Sequence, residues 1–130
     1  MTSLEHARQL LQRAAEDQYV LRKLADDPAA PPSMVGFHAQ QAIEKMLKAV
    51  LASRDVDYPR THELRYLMKL LEGCSCPLPD GLTDIRNLDP FATRLRYDYP
   101  TQADELPDRA WIADRMDRVR QWATGLIEAK

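Results

Sequence analysis

The chain has 130 residues, 18 Lys+Arg against 20 Asp+Glu and a formal net charge of -2, with 45% hydrophobic and 29% charged residues. That length sets the prior at one domain, residues 1–130, and the apolar content excludes a disordered chain. The near-neutral balance excludes bulk attraction to nucleic acid, so any such binding must come from a local patch. No run of roughly 18 apolar residues exists for a membrane span. The opening MTSLEHARQL has no apolar stretch of the secretory kind, so a cytoplasmic protein without a membrane partner is expected.

Helical periodicity runs through the whole chain. From Ser3 to about Ala25, Ala7, Leu10, Leu11, Ala14, Leu21 and Leu24 fall on one face at three–four spacing. Asp26-Asp27-Pro28 through Pro31-Pro32 breaks the chain, because proline cannot donate and disfavours helix before it. Ser33 is the candidate cap of a second helix that runs to about Ser53 and buries Val35, Ala39, Ala42, Ile43, Met46, Leu47 and Val50. A shorter third helix follows Tyr58-Pro59-Arg60, with Thr61 as candidate cap and Leu64, Leu67, Met68 and Leu71 as its buried stripe.

The loop Gly73 to Pro79 ends that helix and carries both cysteines, Cys74 and Cys76. A C-x-C pair is half of a metal site, and no histidine stands at ligand spacing to complete it. No metal and no cofactor are therefore expected. Leu82, Ile85 and Leu88 mark a fourth helix that Asp89-Pro90 stops or kinks, and Phe91 to Tyr99 is irregular. The last helix runs from about Asp104 or Pro107 to Ala129 and buries Ala110, Ala113, Met116, Val119, Ala123 and Leu126. The sum is an all-α antiparallel up-and-down bundle of about five helices, three long and two short.

Three places carry candidate chemistry. On the second helix His38, Gln41, Lys45 and Lys48 line one side opposite the core, with Gln40 and Glu44 on the adjoining edge. A solvated face with an ordinary Glu44→Lys48 pair is the competing reading. The cluster RLRYDYP joins Arg94 and Arg96 to Tyr97, Asp98 and Tyr99; arginine forks onto phosphate and tyrosine stacks a base, or the tyrosines simply pack the end of the bundle. His62, beginning the third helix, is the third.

The string FHAQQAIEKMLKAVL (37–51) closely resembles the second-helix signature of HEPN domains (higher eukaryote and prokaryote nucleotide-binding). The order that follows also resembles the family: a proline-containing loop, THELRYLMKLLE (61–72), a segment ending in RYDYP and a long last helix, so that the likeness spans about Leu4 to Ile127. The resemblance implies a helical bundle that commonly dimerises. Many HEPN domains are metal-independent ribonucleases with an Arg-x4-6-His motif, in which arginine steadies the phosphate and histidine moves the proton. Here His38 finds Pro31, Pro32 and Ser33 at the required positions, His62 finds Asp55, Val56 and Asp57, and Arg94 and Arg96 are followed by no histidine. The motif is absent, and no catalytic residue is assigned.

The resemblance therefore implies the second kind of HEPN protein, a small stand-alone chain paired with a minimal nucleotidyltransferase in a toxin–antitoxin-like module. In such a pair the chain would bind nucleotide or regulate its partner, with Lys45, Lys48, His62, Arg96 and Tyr97 as the ligand-facing set. Arg94, Asp98 and Tyr99 would be further contacts or modification positions, since related transferases modify a tyrosine in the region comparable to Tyr97 and Tyr99. The alternatives are a divergent ribonuclease, with Arg94 or Arg96 set against His62 or His38, and a helical scaffold without ligand.

Overall fold

A computed structural model describes residues 1–92 and 108–129. Four α-helices, α1 (Ser3–Ala25), α2 (Pro32–Ser53), α3 (Leu64–Gly73) and α4 (Arg109–Ile127), and a 3-10 helix (Asp80–Phe91) between α3 and α4 make up an all-helical bundle. Three are long and two short, as the periodicity predicts. RLRYDYP, with Arg94, Arg96, Tyr97, Asp98 and Tyr99, lies outside the described residues.

The bundle is built around α2. Ala39, Ala42, Ile43, Met46, Leu47, Ala49, Val50 and Leu51 are wholly buried, because α1, α3, the 3-10 helix and α4 all pack on this one helix. Its entry differs from the expectation of a Ser33 cap. Pro31 occupies the cap position with no side-chain bond, and Pro32 takes the first helical position, where its missing N–H is no loss. α1 begins with a full capping box, Thr2 Oγ1 accepting from Glu5 N (3.1 Å) while Glu5 reaches back to Thr2 N (3.4 Å).

Thr61 is not the cap of α3. Its hydroxyl accepts from Glu63 N (3.1 Å), and the first N–H groups of the helix are met instead by Asp89, at 2.7 Å from Leu64 N and 3.4 Å from Arg65 N. The cap is thus supplied from 25 residues away, out of reach of any local pattern. At the other end Ser75 takes the left-handed conformation (φ 63), and Ser75 N and Cys76 N return to Glu72 O (3.2 Å) and Leu71 O (2.9 Å). That is the hydrogen-bond pattern of a Schellman ending, with serine where glycine is usual.

The fourth element is a 3-10 helix that continues through Pro90 to Phe91, not an α-helix stopped at Asp89-Pro90. Its buried residues are Leu82, Ile85, Leu88 and Phe91, spaced by three, and three residues per turn puts all four on one edge. Phe91 closes the row against Gly36 of α2, where a Cβ would stand 2.5 Å from the ring, so only glycine admits it.

α4 is rotated relative to the expectation: Ala110 and Ala113 are exposed, Ile112 and Ile127 are buried, and Leu126 is only partly so. Arg109 fixes its start by donating to the carbonyls of Leu24 (3.0 Å), Ala25 (3.1 Å), Asp27 (3.0 Å) and Ala30 (3.3 Å), which serves the open C-terminal carbonyls of α1. Asp84 holds α4 to the 3-10 helix through Trp111 Nε1 (3.0 Å) and both Arg115 Nε (2.9 Å) and Nη2 (2.8 Å). Among the described residues no helix is long and apolar enough to cross a membrane.

Candidate functional site

The polar residues of α2 are not a solvated face. Gln40 is 0% exposed and Glu44 4%, so the residues expected on an outer edge lie inside the bundle. The reason is the central place of α2: with neighbours on every side, its polar positions must be satisfied by protein rather than water. They are, and among the described residues no buried side-chain nitrogen or oxygen lacks a partner.

Glu44 is the hub of one cluster. Its Oε1 meets His62 Nδ1 at 3.0 Å and Gln40 Nε2 at 3.2 Å, and its Oε2 accepts from Lys48 Nζ at 3.1 Å. Gln40 also donates to the His62 carbonyl (2.7 Å) and accepts from Gln41 Nε2 (2.8 Å). Lys48 lies 5.5 Å from the centre of the Tyr58 ring, an attractive placement for a cation over an aromatic face. Burial and, next to it, the negative charge of Glu44 push the Tyr58 hydroxyl above the ordinary tyrosine range, so it stays protonated at neutral pH. Beyond it His6 Nε2 stands 3.4 Å from the Tyr58 hydroxyl, in a cleft that also takes in Ser3, Asp55 and Asp57.

A second cluster sits between α2 and α1. Asp17 Oδ1 meets His38 Nδ1 at 3.1 Å, and Oδ2 accepts from Lys45 Nζ. The ion pair is 13% exposed at Asp17, 16% at His38 and 26% at Lys45.

Of the residues read from sequence as ligand-facing, Lys48 and His62 therefore come together on Glu44, whereas Lys45 belongs to Asp17. Arg96 and Tyr97 lie outside the described residues. His62 precedes α3 rather than beginning it, because that helix starts at Leu64. Sequence reading missed Asp17, Glu44 as a hub and Tyr58. The single carboxylate of a strongly apolar helix was the available signal for Glu44; nothing local marked Asp17. Both cysteines are free, and among the described residues no group of three or more His, Cys, Asp or Glu side chains is placed to hold a metal ion.

No curated protein and no solved structure matches the chain. The model of the HEPN domain matches residues 7–124, which takes in all of α2, α3 and the 3-10 helix and most of α1 and α4. With an all-helical fold and a match over nearly its full length, the chain belongs to the HEPN family.

Proposed function

We propose that this chain is a non-catalytic HEPN protein, the nucleotide-binding or regulatory partner of a minimal nucleotidyltransferase in a toxin–antitoxin-like module, acting as a homodimer in the cytoplasm. The observation that carries the reading is the absence of Arg-x4-6-His from a chain that matches the family model over residues 7–124. Phosphodiester cleavage needs a cation at the phosphate and a proton-transfer group beside it. His38 Nδ1 and His62 Nδ1 each meet a carboxylate, Asp17 and Glu44, and among the described residues no arginine is hydrogen-bonded to either ring, so the cation half of that pair is not supplied beside them.

The ligand-facing set is Lys48 and His62 around Glu44, Lys45 on the α1 side, and Arg96 and Tyr97, with Arg94, Asp98 and Tyr99 as further contacts or modification positions. What supports it is the meeting of Lys48 and His62 on one buried carboxylate beside an aromatic ring. Calorimetric titration of ATP into the wild-type chain is expected to give saturable binding. Arg96→Ala should weaken that binding at least tenfold, about 1.4 kcal/mol. Co-expression with a minimal nucleotidyltransferase from the same genome should yield a complex by pull-down. An absence of both binding and complex would overturn the proposal, and cleavage of labelled RNA by the purified chain would replace it with the ribonuclease reading.

A further inference from the structure

Gln40 and Glu44 grip His62 at two points, the carbonyl (2.7 Å) and the ring Nδ1 (3.0 Å). Gln40 uses both its N–H donors, on His62 O and Glu44 Oε1, and its oxygen accepts from Gln41, so the direction of the amide is determined. A carboxylate that receives Lys48 on its other oxygen is an acceptor only. The proton of the neutral imidazole therefore sits on Nδ1, and the lone pair sits on Nε2. The gripping side chains are buried, yet the ring they hold is 64% exposed. His62 lies outside any helix, so regular backbone does not orient it.

We infer that Gln40 and Glu44 are positioning residues that present His62 Nε2 as a hydrogen-bond acceptor, and that the ligand group it takes is a donor, a nucleobase amino group or a ribose hydroxyl, rather than a phosphate oxygen. This rests on the reading of this cluster as a ligand site. Phosphate is the poorer match because both lysines of α2 are already neutralised, Lys48 by Glu44 and Lys45 by Asp17. The cleft beyond Tyr58 continues the pattern: Asp55 and Asp57 line it, and among the described residues no lysine or arginine side chain does. Acceptors at both places call for a ligand that donates.

Nitrogen-15 NMR of the imidazoles at about pH 8.5, about two units above the ordinary histidine pKa, tests the positioning without any ligand. In the wild-type chain His62 should carry its proton on Nδ1. Glu44→Gln, which keeps an acceptor oxygen, should retain that tautomer, and Glu44→Ala should lose it. A proton on Nε2 in the wild-type chain would overturn the positioning, and this measurement stands even if Glu44→Ala fails to fold. At the same pH adenosine should bind, inorganic phosphate at equal concentration should not, and His62→Ala should weaken adenosine at least tenfold. Loss of affinity with inosine identifies the amino group as the donor, and loss with 2′,3′-dideoxyadenosine identifies the ribose. Binding of phosphate but not of adenosine would overturn this inference alone. No binding of any nucleoside or nucleotide would overturn the donor-ligand claim together with the nucleotide half of the proposed function.

Discussion

The two carboxylate–histidine clusters beside α2 are made of the same parts and do different work. Asp17, His38 and Lys45 are all mostly buried and join two long helices, so the histidine is enclosed and the ion pair acts as a staple between α1 and α2. Glu44 is buried deeper, but its histidine comes from the connection before α3 and stays open to solvent. The pair chemistry is shared; what separates a staple from a presented group is whether the histidine sits on a packed helix or on a connection that a buried acid holds from beneath.

Removing the hubs tests the distinction most severely. Glu44→Ala leaves Lys48 and the Gln40 amide without their buried acceptor, and breaking a buried pair from one side typically costs ~3–5 kcal/mol, so a large fall in urea-denaturation stability is expected. Asp17→Ala should cost less, ~1–3 kcal/mol, because Lys45 at 26% exposure can turn to water. A larger loss at Asp17 than at Glu44 would break the comparison. His62→Ala sharpens it from the other side. An exposed partner contributes at most ~1 kcal/mol to stability, so this variant should remain folded in thermal melts while losing adenosine affinity.

The smallest effects concern two acids outside both clusters, whose pKa values move in opposite directions. The hydrogen bond from Arg115 is the main cause that holds Asp84 below the usual carboxylate range, whereas burial pushes Asp89 above it. A lowered folded value means that Asp84 stabilises above the unfolded pKa of about 3.9 and loses that contribution as pH falls through the folded value. The raised value of Asp89 has the opposite sign: its contribution is present below about 3.9 and is lost as pH rises through the folded value. Asp84→Asn should therefore cost ~0.2–1 kcal/mol at pH 7, since Asp84 is still partly open to water, and less as pH falls toward about 2. Asp89→Asn should remove part of the penalty at pH 7, because asparagine still offers an oxygen to Leu64 N. Denaturant titrations at the two pH values measure both.

How far the sequence could be read depended on what each feature rests on. α1 and α2 were legible to within a residue or so, because their apolar stripes repeat over more than five turns and prolines mark the break between them. The 3-10 helix was legible in principle from the three-residue spacing of Leu82, Ile85, Leu88 and Phe91, but an α-helical period fits the first three nearly as well and Phe91 is the residue that decides. The register of α4 was not legible from alanines, which are small enough to sit on either face. Lys48 and His62 were singled out by residue type, and only their meeting on Glu44 had to come from the fold.

By itself, the sequence determined that this is a helical chain of the HEPN family without Arg-x4-6-His, because family and motif are written in local order and spacing. The tertiary structure decided which polar residues are buried. A helix wrapped on all sides turns Gln40 and Glu44 inward, where desolvation obliges them to bond with whatever the neighbouring segments bring. The partners that arrived, Lys48 from the next turn and His62 from the connection 18 residues on, convert an apparently solvated edge into a held imidazole.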